Sequence, residues 1–541
     1  MIEEELLGRP NRSESRFSSN LFLIILTALC CTFGMLSGDR LAANDGLGWD
    51  GISYAGYLQK LGKFTALAKP ATPSVAAPDS ALADTSQAST QVAPPPLPPR
   101  AEGKRGINPY HFHRLAPIVG VHLGLRALHI EHSIPNIIQA FLWLNVISLL
   151  LGAFLWLQIL DRIGCQGWAK LLGYCALFVS FGSLKMPFYY AVLLDTASFF
   201  MAILQLYLHL GNRRTLLWLA TLVGAFTHPW LFYLGAILFL VPYESSDAAS
   251  AEASSSDRVN DWLVWGVVAL VTLLPWAILI LDPALRSEIQ PDMNALRMAA
   301  IALGGLLALI YLRLTLRPFI DVRRWLTLAG GMLASGKVRL LIVVVSYFAI
   351  ELGISALAVG KSAMTPSQVV VQMAWRSVAN LLVFAVSHLW YFGPVYLLLI
   401  LRWRDFVTAV RSLGTGLTLV ALILFITLLD SESRRVIVLL PFAGLFLAKA
   451  LSLRHERTTL YALLAGLSLA FSRMWVTIKI DQPWSGPQFS SMAFPWQAFF
   501  MNMGPWLSDR VYLIGTAVLA AVLLLLWQMA KEPASEAQRG R

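Results

Sequence analysis

Apolar runs of about 17–25 residues recur along almost the whole of this 541-residue chain. A helix needs about that length to cross the roughly 30 Å hydrocarbon core of a bilayer. No other feature narrows the fold as much. Hydrocarbon offers a backbone N–H or C=O no partner, so each run must satisfy its own polar groups as a helix. Composition agrees. Charged residues are 13% of the chain, about half the usual share of a soluble protein, and the mean hydropathy is +0.63. The expected class is all-α integral membrane, a polytopic bundle of about 12–14 transmembrane helices.

Fourteen spans can be placed, at 20–36, 137–160, 168–184, 188–210, 215–228, 230–242, 259–281, 297–313, 339–359, 380–401, 414–429, 434–450, 458–476 and 511–530. The fifth and sixth are short and meet at "THPW", where Pro229 breaks the helix. Loop charge tests the set. With Arg9, Arg12 and Arg16 in the cytoplasm, the loops then inside carry Arg162 and Lys170, Arg213 and Arg214, the cations of 313–337, Arg402, Arg404 and Arg411, and Lys449 to Arg457. The short loops outside carry far fewer, as the positive-inside rule requires, provided "THPW" turns the chain back. Both termini are then expected in the cytoplasm. The net charge of +11 is thereby read as topology, and a nucleic-acid partner is set aside. Four cysteines, Cys30, Cys31, Cys165 and Cys175, form no disulfide framework or zinc spacing.

The expected divisions are a cytoplasmic tail (1–19), a first membrane helix (20–36), a large outer loop (37–136), a transmembrane core (137–281), C-terminal membrane helices (282–530) and a second cytoplasmic tail (531–541). Within the loop, 67–103 is rich in Ala, Pro, Ser and Thr, buries too little to fold, and reads as a disordered insert. It separates an acidic, aromatic part containing "GLGWDGISYAGYLQ" (46–59) from a His/Arg-rich amphipathic part (107–132). A smaller polar linker covers 244–258, and an aromatic loop covers 484–506.

Ionisable groups at a membrane boundary are costly and therefore candidates for function. On this topology they gather outside: Asp39, Asp45 and Asp50 in the first loop; His111, His113 and Arg114 after the insert; Lys185, Tyr189, Tyr190 and Asp195; His228; His388; Asp430, Glu432, Arg434 and Arg435 in "DSESRR"; Arg473 and Lys479. Each has a plainer reading. Asp50 starts an Asp-Gly turn or helix cap, Arg114 is placed to snorkel, Asp39 has Arg40 beside it, and Asp195 has Lys185 as a nearby counter-ion. Two histidines without a carboxylate at ligand spacing do not indicate a metal. Together, however, the groups suit an anionic, lipid-linked reactant. A polyprenyl-phosphate sugar buries its tail between helices and needs cations at headgroup depth. Moving its sugar needs one base for the acceptor hydroxyl and positive charge for the departing phosphate.

At this point the residues resemble a family. One membrane helix, an acidic opening to a large outer loop and many short-looped helices look like the GT-C class of glycosyltransferases. "GWDGISYAGY" resembles a G-aromatic-D-G-x-x-Y stretch of a bacterial group with that architecture, "YHFHRLAP" (110–117) resembles its second loop motif with His111 where Arg is common, and "YYAVLLDTASFFMAILQLYL" (189–208) resembles the class's fourth helix. The Ile-Ser after Asp-Gly and the proline-rich insert depart from the pattern. The resemblance implies a GT-C core in 137–281, Asp50 as the base and Arg114 as a phosphate ligand. Tyr54, His111, His113, Asp195, His228, Arg434, Arg435 and Arg473 complete the candidate substrate-binding set; no cofactor is expected, and a divalent metal is not indicated by the sequence but is left open by it. The expected reaction is inverting transfer of a hexose or pentose from a polyprenyl-phosphate donor to a glycan, lipid or protein acceptor, on the outer face of a bacterial cytoplasmic membrane. A flippase of lipid-linked sugars and a non-catalytic assembly protein remain as alternatives.

Overall fold

The computed structural model describes residues 12–41, 43–48, 50–67, 107–243, 261–281, 295–320, 325–327, 329–331, 336–358, 371, 374, 382–453, 458–478 and 509–530. The insert beyond 67, the linker 244–258, the aromatic loop 484–506 with Lys479, the tail 531–541, residues 1–11 and Trp49 lie outside them. Among the described residues there are helices and no strands, as hydrocarbon-length apolar runs demand.

The chain opens with α1 (Arg12–Leu36), which begins inside the segment expected as a tail, then α2 (Asp50–Leu67). After the insert come α3 (Pro109–Phe112), α4 (Leu115–Ala127) and the long α5 (Ile134–Arg162). α6 (Gly167–Phe178), α7 (Phe181–Leu184) and α8 (Met186–Tyr189) follow, then α9 (Asp195–Leu210), α10 (Arg214–Ala225) and α11 (Pro229–Leu240). The C-terminal half contains α12 (Asp261–Leu281), α13 (Ala295–Leu316), α14 (Lys337–Leu357), α15 (Val383–Phe392), α16 (Leu397–Leu401) and α17 (Trp403–Ser412). It ends with α18 (Thr415–Thr427), α19 (Ser433–Val436), α20 (Leu440–Ser452), α21 (Thr458–Ser472) and α22 (Asp509–Ala530).

Among the described residues, six helical stretches are long and apolar enough to cross a bilayer, or seven if the bent segment from α6 to α8 is one span. Most of the other apolar helices are shorter, the 21-residue α12 excepted. Large apolar side chains stay exposed on α1 (Phe22, Leu29, Leu36) and α14 (Leu341, Phe348, Leu352). Water would not tolerate such surfaces, whereas lipid chains match them. The molecule is an all-α, multi-pass membrane protein.

Two breaks matter for the site. At "THPW", α10 and α11 pack side by side, and His228 caps α11 by accepting the Trp230 N–H at 3.3 Å. Between α6 and α8 the path bends by 62°. There Ser180 and Ser183 form a reciprocal capping box at the start of α7, and Pro187 sits in the first turn of α8. That bend brings Tyr190 and Val192 under the start of α2.

Candidate functional site

Helix starts converge at one end of the bundle. Asp50 and Asp195 begin α2 and α9, Arg114 precedes α4, His228 precedes α11, and Glu432 precedes α19. The unpaired N–H groups of a helix start carry partial positive charge, so a carboxylate in the first turn is favoured there.

Asp50 is placed by its glycine neighbours. Gly48 lies at φ +60° with no room for a Cβ, which would meet the Tyr190 ring at 2.3 Å. A Cβ on Gly51 would meet Val192 at the same 2.3 Å. The Asp50 N–H, an orphan donor of the first turn, donates to the Tyr190 hydroxyl at 3.1 Å. The small residues around Asp50 thus let the chain press onto the segment after α8.

The central cation is Arg434. Each nitrogen of its guanidinium faces a different carboxylate: Nη1 to Asp50 at 3.3 Å, Nη2 to Glu432 at 3.4 Å and Nε to Asp195 at 3.8 Å. Arg435 holds Glu432 at 2.8 Å and lies 3.8 Å from Asp430. His388 fixes the approach to α19: its Nε2–H donates to the Leu428 carbonyl and its Nδ1 accepts from Ser433, both at 2.9 Å.

Arg114 completes the cluster from the other side of the insert. It donates to the Tyr54 hydroxyl at 3.4 Å and lies over the Tyr110 ring at 4.6 Å. Its Nε is buried and makes no hydrogen bond among the described residues, and neither Asp195 Oδ2 nor the Tyr391 hydroxyl makes one. Such groups are uncommon and mark places where a ligand or water completes the bonding. His111 sits between the two halves, its Nδ1 bonded to the Tyr57 hydroxyl at 3.1 Å, its ring edge-on to Tyr54. His113 is turned away, and its Nδ1–H donates to the Ala225 carbonyl at 3.1 Å. His228 lies within reach of the charges of Arg114, Arg434 and Arg435.

The charges set protonation. Burial alone would raise the Asp50 carboxyl, but Arg434, Arg114 and His111 outweigh it and hold Asp50 below the ordinary carboxylate range. Burial and then Arg114 lower the His111 imidazole, while Asp50 partly opposes them, so His111 is neutral near pH 7. Burial raises the Tyr54 phenol, which stays protonated.

Two pairings expected from adjacency in sequence do not form. Asp39 pairs with Lys185 and accepts the Ile478 N–H at 2.9 Å, whereas Arg40 turns back to the carbonyls of Gly34 and Met35 at the end of α1. Lys185 is therefore not the partner of Asp195, which faces Arg434. Arg473 stacks on Phe181 at 4.0 Å and donates to the Trp390 carbonyl at 3.0 Å. Glu432 and Tyr190, named among the outer-face groups but not in the substrate-binding set, join the site, as do Tyr57, Tyr110 and Tyr391, whose only sequence signal was proximity to charged motifs. Beside Asp45, a cleft of about 530 Å³ has Arg40 on its wall and Ile134, Ile138 and Leu142 as apolar lining. Among the described residues no group of three His, Cys, Asp or Glu is placed to hold a metal ion.

Comparisons with protein-family models, with curated proteins and with solved structures return no match.

Proposed function

We propose that this protein is a membrane glycosyltransferase of the GT-C type. It moves a sugar from a polyprenyl-phosphate donor to an acceptor hydroxyl at the outer face of a bacterial cytoplasmic membrane. The observation that carries the reading is the meeting of Asp50, Arg434 and Arg114 in a buried cluster of four carboxylates and three guanidiniums that has unfilled hydrogen-bonding capacity.

In this reaction the acceptor oxygen attacks the anomeric carbon as the carbon–oxygen bond to phosphate breaks. Asp50 takes the acceptor's proton, and the electron pair of the broken bond leaves on the polyprenyl phosphate. Arg114 and Arg434 stabilise that phosphate as its charge grows. A single displacement inverts the anomeric centre. The cleft beside Asp45, with Ile134, Ile138 and Leu142 on its wall, is the proposed seat of the donor's isoprenoid tail.

The depressed Asp50 is a weak base while Arg434 grips it, each pKa unit removing about 1.4 kcal/mol of driving force. An incoming phosphate competes for Arg434 and returns basicity to Asp50. Donor binding thus prepares the base.

The test is Asp50→Asn in the full chain, reconstituted in nanodiscs and matched to wild type by size exclusion and thermal unfolding. A panel of farnesyl-phosphoryl hexoses and pentoses serves as donor, envelope lipids and glycans serve as acceptors, and farnesyl phosphate release is followed. Loss of a positioned base lowers the rate by about 10²–10⁴-fold. Release at the wild-type rate removes Asp50 as the base.

A further inference from the structure

The cluster has a charge imbalance. Asp50, Asp195, Asp430 and Glu432 face Arg114, Arg434 and Arg435, four carboxylates against three guanidiniums. Adding an anion widens the deficit. A group that gains a proton as the anion arrives would offset it.

His111 is built for that. Asn108 caps α3 and accepts the His111 N–H at 2.9 Å, so the backbone is fixed. Tyr54, Tyr57 and Tyr110 surround the ring edge-on. Nδ1 meets the Tyr57 hydroxyl at 3.1 Å, a bond that survives protonation because a phenol oxygen can accept as well as donate. Nε2 makes no hydrogen bond among the described residues. The charges acting on the ring are Arg114, which disfavours a second positive charge, and Asp50, which favours it. The α14 helix also packs on α3 and carries Glu351. An anion on Arg114 would neutralise the opposing charge and add an attractive one.

We propose that His111 is a proton-coupled anion ligand: it is neutral in the empty site and binds the phosphate group of the substrate as an imidazolium. This rests on the reading of the substrate as a phosphate ester. It makes anion affinity pH-dependent in a way that a guanidinium at this position would not.

The direction follows from linkage. A group whose pKa rises on binding takes up a proton, so affinity is highest at low pH and falls as pH rises between the free and bound values. The probe is farnesyl methyl phosphate, a phosphodiester whose own charge does not change near neutrality. Its Kd is measured on the full chain in nanodiscs between about pH 5 and pH 8, the range over which histidine titrates, with calorimetry in buffers of different ionisation enthalpy to count protons. Wild type should weaken by up to about tenfold per pH unit and take up close to one proton. His111→Arg should bind tightly with no slope, and His111→Gln weakly with no slope. His129→Asn, which removes an exposed imidazole elsewhere in the loop, should keep the slope. Binding without pH dependence, or a slope that persists in both His111 variants, overturns the proposal but leaves the phosphate-ester reading standing. No binding at any pH overturns both. Sugar transfer is not needed for the readout, so an Asp50 result does not decide this one.

Discussion

Replacing Arg434 with methionine tests the cluster most directly. Methionine keeps the length and removes the charge. The structure says which carboxylates suffer. Glu432 keeps Arg435 at 2.8 Å. Asp50 keeps the field of Arg114, and its side chain is 29% exposed, so water can take up part of the loss. Asp195 also feels Arg114, but Arg434 is its larger source of positive charge and its side chain is only 15% exposed. Removing one partner of a buried pair costs about 3–5 kcal/mol. The contacts here run from 3.3 to 3.8 Å, longer than the best charge-assisted bonds, so the lower end, about 3 kcal/mol, is expected. If Asp195 carries most of this, Arg434→Met with Asp195→Asn should recover about 2 kcal/mol. Arg434→Lys should behave like a partial loss, because a point charge cannot face three carboxylates in three directions. The assay is reversible unfolding in mixed micelles, run as a double-mutant cycle. A single variant within about 0.5 kcal/mol of wild type, the range of an ordinary surface change, would refute the argument. A double variant no more stable than the single one would also refute it.

Three further outcomes follow from the same geometry. Gly51→Ala puts a methyl 2.3 Å from Val192; overpacking of this kind costs about 1–3 kcal/mol, and Val192→Ala in the same chain should return most of it, as thermal unfolding will show. The pH profile of kcat/KM should have its acid limb below the ordinary carboxylate range, since Asp50 is held low, and a basic limb below about 6.5 from loss of the imidazolium form of His111. His111→Arg should remove the second limb alone, and an acid limb near 6 would assign the base elsewhere. Stability carries the same sign for Asp50: its ion-pair contribution is present above about 3.8 and disappears as pH falls through the lower folded value.

Apolar run length made helices legible from sequence, and every one of the fourteen runs contains one. The count of crossings is another matter, because α9, α10, α18 and α21 are helical yet shorter than a bilayer demands. The 62° bend was written in "SFGSLKMP", but as a serine capping box and a proline rather than as a loss of hydropathy. Asp50, Arg114 and Arg434 were legible as ionisable groups at span boundaries. Their pairing was not: Asp50 and Arg434 are 384 positions apart, and hydropathy does not encode which boundary groups meet. Reading partners from adjacency failed for Asp39 with Arg40 and for Lys185 with Asp195 for the same reason. Helix packing chose more distant partners.

Among the described residues, two buried charge clusters can be compared, and their bonding separates them. In the first, Asp39 binds Lys185 and the Ile478 N–H, and Lys185 also donates to the Val476 carbonyl at 2.7 Å. Both side chains are about as buried as the apolar core, at 3% and 5% exposed, and the bonding ties the exit of α1 to the chain after α21. That cluster is closed, and a closed buried pair is a fastener. The second cluster is loose. Its cation divides among three carboxylates, its contacts are long, and Arg114 Nε, Asp195 Oδ2 and the Tyr391 hydroxyl make no hydrogen bond among the described residues. A buried donor or acceptor left open costs about 1–3 kcal/mol. Open groups of both signs at one place are what a ligand with both donors and acceptors completes, as the hydroxyls and phosphate of a lipid-linked sugar would.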